Sequence, residues 1–115
     1  MSLALLESHP GPLVVPALVV TEAAYLIATR LGTDAEVGFL GDLAAGAFTV
    51  EPVDPADWLR IAELVNRYRA LPLGTVDASV VATAERLGIV KVATVDRRCF
   101  SVVRPRHAEA FAIRP

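Results

Sequence analysis

Three acidic residues, Glu22, Asp77 and Asp96, lie in apolar parts of the chain, where an isolated charge is costly unless a cation or hydrogen-bond donors satisfy it. Glu22 belongs to the stretch 19–28, which is apolar nearly all the way round a helix and therefore predicts a buried helix. It has no basic residue three or four positions away to pair with. Asp96 directly follows the run 89–95, which is typical of a buried strand.

Asp77 lies in the first turn of a predicted helix. On a helical wheel its nearest neighbours are Val81 and Ala84, which indicates the face toward the core, and Ser79 and Thr83 fall on the opposite side. A negative charge at this place could also simply stabilise the start of the helix. In the same way Asp96 could be no more than a turn residue after its strand. Glu22 has no comparable simple explanation.

The order of elements predicts an α/β fold with a parallel sheet flanked by helices. Strands are predicted at 13–15, 48–51, 89–95 and 110–113, and helices at 17–30, 33–45, 54–70 and 75–87. Aromatic residues make up only 6% of the chain, so the core must be built from aliphatic side chains, as in a sheet covered on both faces. Residues 3–8 have the pattern of the last turns of a helix, with no strand before them.

In such a fold the carboxyl ends of the strands and the starts of the following helices share one edge of the sheet, and ligands bind there. Asp96 follows a strand, while Glu22 and Asp77 lie in early turns of helices, so all three carboxylates belong at that edge. Carboxylate oxygens are the ligands that Mg²⁺ and Mn²⁺ prefer. These ions can activate water and steady an attack on phosphorus. The three acids therefore predict one shared metal site.

Length and composition indicate a single cytoplasmic domain. The 115 residues contain no repeat or linker, so residues 1–115 are expected to form one domain. No apolar run reaches the roughly 20 residues that span a membrane, and the single cysteine, Cys99, fits a reducing compartment. Residues 1–63 carry nine acids and two bases, whereas residues 64–115 carry four acids and nine bases. The basic half could meet a phosphate backbone or an acidic protein, but charge alone slightly favours ordinary solvated surface arginines.

Three ordered motifs also resemble a known family, the PIN domain, and most of all the toxin ribonucleases of VapBC toxin–antitoxin pairs. They are residues 16–22 (Pro-Ala-Leu-Val-Val-Thr-Glu), 75–82 (Thr-Val-Asp-Ala-Ser-Val-Val-Ala) and 93–100 (Ala-Thr-Val-Asp-Arg-Arg-Cys-Phe). The resemblance implies an endoribonuclease dependent on Mg²⁺ or Mn²⁺, with Glu22, Asp77 and Asp96 as metal-site acids. It also implies that Thr94 positions water or an acid. Arg97 and Arg98, which belong to the basic half of the chain, are expected to contact RNA. A cognate antitoxin and a homodimer or higher oligomer are the expected partners.

One departure from the family pattern concerns the start of the chain. The family begins with a central strand that ends in an acid, and nothing in residues 1–11 resembles it, because Glu7 does not end an apolar strand. We therefore expect an N-terminally truncated domain without its first central strand, and an impaired enzyme. The exposed strand edges predict oligomerisation, unless the neighbouring strands close together or the N-terminal segment fills the gap.

Other functional classes find less support. The chain has no glycine-rich phosphate loop and no Gly-flanked serine elbow. A receiver-like signalling domain would need two adjacent acids early and a lysine near a late strand end, and the one lysine, Lys91, lies within a predicted strand. The alternative that stays open is a catalytically inactive PIN-like module that binds an antitoxin or RNA.

Overall fold

A mixed five-stranded sheet organises the fold in a computed structural model, which describes residues 4–7, 13–94, 105–106 and 112–114. The strands are β1 (Ala4–Glu7), β2 (Leu13–Pro16), β3 (Thr49–Glu51), β4 (Lys91–Thr94) and β5 (Ala112–Arg114), in the spatial order β3-β2-β1-β4-β5. β2 is parallel to β3 and β4 is parallel to β5, whereas β1 is antiparallel to both of its neighbours. The predicted α/β class is confirmed, but the sheet is not purely parallel.

The centre of the sheet corrects one prediction from the sequence. Residues 3–8 were expected to end a helix and the central strand was expected to be missing, but β1 occupies the slot between β2 and β4. Leu6 on β1 is fully buried, and it pairs with Val14 on one side and Val92 on the other. The physical reason is that an empty slot would leave two rows of backbone donors and acceptors unpaired. The sheet therefore does not need a second copy of the chain to fill this gap.

In the described part of the chain, four helices accompany the sheet: α1 (Ala17–Leu31), α2 (Thr33–Ala44), α3 (Pro55–Arg67) and α4 (Thr75–Leu87). The start of α3 is fixed by reciprocal bonds, because Asp54 accepts from the N–H of Ala56 while Asp57 accepts from the N–H of Asp54, both at 3.0 Å. α4 ends at Gly88, whose φ of 69° is left-handed and suits glycine. Among the described residues, no helix is both long and apolar enough to cross a membrane.

Helix α4 forms the centre of the core. Every residue from 78 to 84 is buried, because α4 packs against α3, against β1 and β2, and against α1. Ser79 and Thr83, which the helical wheel placed on a polar side, are therefore buried as well. Ser79 satisfies its hydroxyl by donating a hydrogen bond of 2.6 Å to the carbonyl of Val76. Because residues 78–84 are covered on all sides, this part of α4 has no polar face. The helical wheel could therefore not predict the burial of Ser79 and Thr83.

Helices α1 and α2 pack against each other as a helical hairpin with little core contact. Val19 is the one fully buried side chain among the described residues of this hairpin. Large apolar side chains are instead exposed along it, namely those of Tyr25, Leu31, Val37 and Leu40. An apolar surface of this kind usually marks contact with another macromolecule.

Candidate functional site

The candidate site lies at the edge of the sheet where β2 and β4 end. β2 and β4 are both antiparallel to their common neighbour β1, so they run in the same direction. The register is fixed by the pairing of Leu6 with Val14 and of Ala4 with Thr94. Pro16, the last residue of β2, and Thr94, the last residue of β4, therefore lie at one edge. Helix α1 starts directly after Pro16, so its first turns belong to this edge too. This is the arrangement in which α/β proteins bind ligands.

Glu22 lies in the second turn of α1, close to this edge. Its side chain is half-buried, and its Oε2 atom is enclosed without a hydrogen-bond partner among the residues that the structure describes. Burial raises the pKa of the Glu22 carboxyl, because the charged form loses hydration. A carboxylate held in this way is suited to a cation, because the described residues offer no donor to its Oε2 atom.

Asp77 lies in the first turn of α4, and its side chain is half-buried. The short connection through Gly88 leads α4 into β4, so α4 runs back along the sheet and its start belongs at the edge where β4 ends. Helices α1 and α4 also contact each other. Glu22 and Asp77 are therefore both near the starts of two packed helices, as the sequence predicted.

The remaining predicted site residues are described only in part. Thr94 is the last residue of β4, which places its backbone at the same edge. Asp96, Arg97 and Arg98 lie outside the described residues. Within the described ranges, no three His, Cys, Asp or Glu side chains come together in a way that could hold a metal ion. The predicted cluster of Glu22, Asp77 and Asp96 therefore stays a prediction.

Glu7 lies at the opposite edge from the candidate site. It pairs with Leu13 at the start of β2 and with Lys91 at the start of β4, since β1 runs antiparallel to both strands. Because β1 runs opposite to β2 and β4, its last residue lies at the edge where those two strands begin. Glu7 ends an observed strand, contrary to the sequence prediction, but it does not stand in for the strand-end acid of the family pattern.

Two groups of ion pairs beside α4 were not predicted from the sequence. Arg60 on α3 donates two hydrogen bonds of 2.8 Å to Glu85 on α4, and Arg86 on α4 contacts Glu51 at 2.8 Å and Asp57 at 3.1 Å. Asp57 is buried although it carries a charge. The partners are 25 to 35 residues apart, so no local spacing signals these pairs. They fix α3 against the helix that carries Asp77.

The described part of the site fits a divalent cation. Glu22 and Asp77 offer carboxylate oxygens, which are the hard ligands of Mg²⁺ and Mn²⁺. The enclosed Oε2 of Glu22 is the specific observation, because a buried carboxylate oxygen without a donor is normally satisfied by a cation or by protonation. The donor set is therefore compatible with the ion that the sequence predicted.

Comparisons with known proteins agree with this fold. A family model described as the PIN domain matches residues 2–104. Ribonuclease VapC26 of Mycobacterium tuberculosis (strain ATCC 25618 / H37Rv) is 37% identical over 110 residues, which cover 96% of this chain and 82% of that protein. The crystal structure of Mycobacterium tuberculosis VapC20, a toxin described as cleaving the sarcin-ricin loop, superposes with a TM-score of 0.63 at 23% identity.

The structural match covers 68% of this chain and 60% of the VapC20 chain, and at that level of identity it supports the fold alone. The family model and the VapC26 match extend over nearly the whole sequence, including all three motifs on which the resemblance was based. The resemblance is confirmed, and the chain belongs to the PIN domain family, with VapC proteins as its relatives.

Proposed function

We propose that this chain is a metal-dependent endoribonuclease and the toxin of a toxin–antitoxin pair. Its relative VapC26 is named a ribonuclease, and VapC20 is described as a toxin that cleaves the sarcin-ricin loop. The observation that carries the metal part of the proposal is the enclosed Oε2 atom of Glu22, on a helix that packs against the helix of Asp77. Hydrolysis of RNA phosphodiester bonds is the chemistry that this set of carboxylates supports best.

Each predicted site residue has a separate role in this proposal. Glu22, Asp77 and Asp96 hold Mg²⁺ or Mn²⁺, and the three carboxylates offset its charge. The bound ion supplies Lewis acidity and lowers the pKa of a water molecule. Thr94, at the end of β4, orients a water or an acid through its hydroxyl. Arg97 and Arg98 follow Asp96 directly and pair with RNA phosphates.

The alternative is a catalytically inactive PIN-like module that binds an antitoxin or RNA. One specific observation favours it, because the reversed β1 carries Glu7 to the edge away from the candidate site. The sheet centre therefore adds no fourth acid to Glu22, Asp77 and Asp96. With fewer acids, ion affinity and geometric control fall, and the chain would cleave RNA weakly.

The exposed apolar side chains of the α1–α2 hairpin support association with protein. We assign this surface to a second copy of the chain, which gives a homodimer, and expect a cognate antitoxin as a further partner. RNA hydrolysis and the lone Cys99 are consistent with a cytoplasmic location. Light scattering of wild type and of Leu40→Asp tests the dimer, since a charge at Leu40 should yield monomers. Equal masses for both proteins would contradict this assignment.

RNA cleavage with defined metals tests the enzymatic proposal. Wild type should cleave RNA with Mg²⁺ or Mn²⁺ and lose activity in EDTA. Asp77→Asn should lower the rate by about 100-fold or more, because an amide cannot offset the charge of the ion. Asp42→Asn is the matched control, since Asp42 is an exposed acid of α2. RNA binding without any metal-dependent cleavage would favour the inactive module instead.

A further inference from the structure

A groove of about 650 Å³ runs along the exposed side of α3 and ends where α4 begins. It is lined by Trp58, Ile61, Ala62, Val65, Asn66, Arg69 and Thr75. All but Thr75 follow one another at helical spacing, so they form one stripe on and just beyond α3. From Trp58 to Arg69 the helical rise corresponds to about 16 Å. The groove is thus long enough for several units of an extended polymer.

One end of the groove is aromatic. Trp58 is 50% exposed, which leaves a large ring face in contact with solvent. Ile61, which is buried, and the partly buried Val65 give the groove an apolar floor. Val65 packs against the core cluster of the described residues, whereas Trp58 is not part of it. An exposed tryptophan over an apolar floor is a stacking platform for a flat ring.

The other end of the groove is positively charged. Arg69 hydrogen-bonds the side-chain oxygen of Asn66, and its Nε donates to the carbonyl of Asn66 at 3.2 Å. Both acceptors are neutral, and no acid among the described residues forms an ion pair with Arg69. By contrast, the guanidinium groups of Arg60, Arg86 and Arg106 are each paired with a carboxylate. Arg69 is therefore held in position with its charge available to an anion.

One end of the groove reaches the start of α4, the helix that carries Asp77. Thr75, at its end, is the first residue of α4, and Asp77 follows in the same turn. No acid of the described ranges lines the groove, although acids are numerous elsewhere on the chain. A polymer that carries both flat rings and phosphates could lie in this groove and continue to the carboxylates.

We infer that the groove binds single-stranded RNA, with one base stacked on Trp58 and a backbone phosphate on Arg69. The inference rests on the proposed function, because it extends the RNA path from the metal-site acids. Stacking on an aromatic face together with a cation on the backbone is the general way in which proteins hold unpaired nucleic acid. Asn66 offers an amide beside Arg69 for a base edge or a ribose hydroxyl.

Intrinsic fluorescence tests the stacking directly, because Trp58 is the sole tryptophan of the chain. A short single-stranded RNA of mixed sequence, added in EDTA so that no cleavage occurs, should quench Trp58 emission in a saturable manner. Polyphosphate, which has the charge of RNA but no bases, should bind without such quenching. RNA binding that leaves the emission unchanged would overturn the stacking role.

Paired variants separate the groove from the rest of the surface. Trp58→Ala should weaken RNA binding by roughly 5- to 150-fold, the range for loss of one stacked base. Arg69→Gln should weaken it less and should reduce the slope of log affinity against log salt by about 0.7. The matched controls are Leu59→Ala, an exposed apolar neighbour outside the groove, and Arg30→Gln, an exposed arginine of α1. Both controls should bind RNA as wild type does.

Three outcomes separate failure of the groove proposal from failure of the enzymatic proposal. If all four variants melt as wild type does and bind RNA equally, the groove proposal is wrong even when wild type cleaves RNA. If Trp58→Ala and Arg69→Gln change the mass in solution but not RNA affinity, the groove is an interface between copies and the proposal is again wrong. If the groove variants lose RNA binding while wild type shows no metal-dependent cleavage, the groove stands and the enzymatic proposal fails.

Discussion

The guanidinium of Arg60 on α3 faces the carboxylate of Glu85 on α4 in a forked geometry, with Nε donating to Oε1 and Nη2 to Oε2, each at 2.8 Å. The two side chains are only 12% and 10% exposed. Glu85 Oε2 also accepts the backbone N–H of Arg106 at 2.8 Å. The Glu85 carboxylate thus connects α3, α4 and the segment around Arg106 through hydrogen bonds.

Removal of Glu85 should destabilise the protein substantially. Glu85→Ala leaves the largely buried Arg60 without its main partner, and we expect a loss of about 2–4 kcal/mol in the free energy of unfolding. Arg106→Gln is the control, since its side-chain pair with Glu63 is mostly exposed and is worth at most about 1 kcal/mol. Urea unfolding of the two variants measures both losses. Equal losses would show that burial does not distinguish the two pairs.

The same pair predicts a dependence of stability on pH. Burial opposes the charged form of Glu85, but the bonds from Arg60 and from the N–H of Arg106 outweigh it and lower the pKa of Glu85 below 4.5. The stabilisation is therefore fully present above pH 4.5 and is lost as the pH falls through the lowered value. Melting temperatures of wild type and Glu85→Gln should differ most near neutral pH and converge in acid. If the difference in melting temperature between the two proteins stayed constant as the pH fell well below 4.5, the lowered pKa of Glu85 would be contradicted.

The filled centre of the sheet gives a prediction for β1. Leu6 is fully buried between β2 and β4, so Leu6→Ala should cost about 2–5 kcal/mol by leaving a cavity. Leu59→Ala, at a site 74% exposed, should change stability by about 0.5 kcal/mol or less. Thermal melts compare the two. A melt of Leu6→Ala like that of wild type would show that β1 contributes little to the core.

The sequence predicted local features well. The bounds of α4 match the prediction, and Asp54 and Pro55 start α3 as their residue types indicate. These features depend on neighbours within one turn, and local chemistry decides them. The placement of Glu22 and Asp77 near the starts of their helices also followed from sequence alone.

Features that depend on distant partners could not be predicted in this way. Residues 4–7 form a strand because β2 and β4 leave a slot for them, and nothing in their own pattern signals it. Ser79 and Thr83 are buried because several elements cover α4 at once. The half-exposed position of Trp58 likewise arises from how α3 packs, since its residue type alone would favour burial.

Neutralising Glu22 should stabilise the metal-free protein. Because burial raises the pKa of Glu22, its charged form is disfavoured in the folded state, and this penalty grows as the pH rises through the raised value. Glu22→Gln should therefore raise Tm near neutral pH by about 1–4 °C in EDTA. Glu36→Gln should lower Tm slightly, since Glu36 lies in the first turn of α2, where a negative charge is favourable. A fall in Tm for Glu22→Gln would indicate that the carboxylate is satisfied within the protein.

Binding of Mn²⁺ tests the central claim most directly, because the claim is that Glu22, Asp77 and Asp96 hold one ion together. Titration of the wild-type protein with Mn²⁺, followed by calorimetry, should show one class of site. Glu22→Gln, Asp77→Asn and Asp96→Asn should each weaken that binding by about 10-fold or more, because each removes a ligand and a charge. Asp42→Asn should bind as wild type does. If any one of the three variants bound Mn²⁺ with unchanged affinity, the shared site would be contradicted.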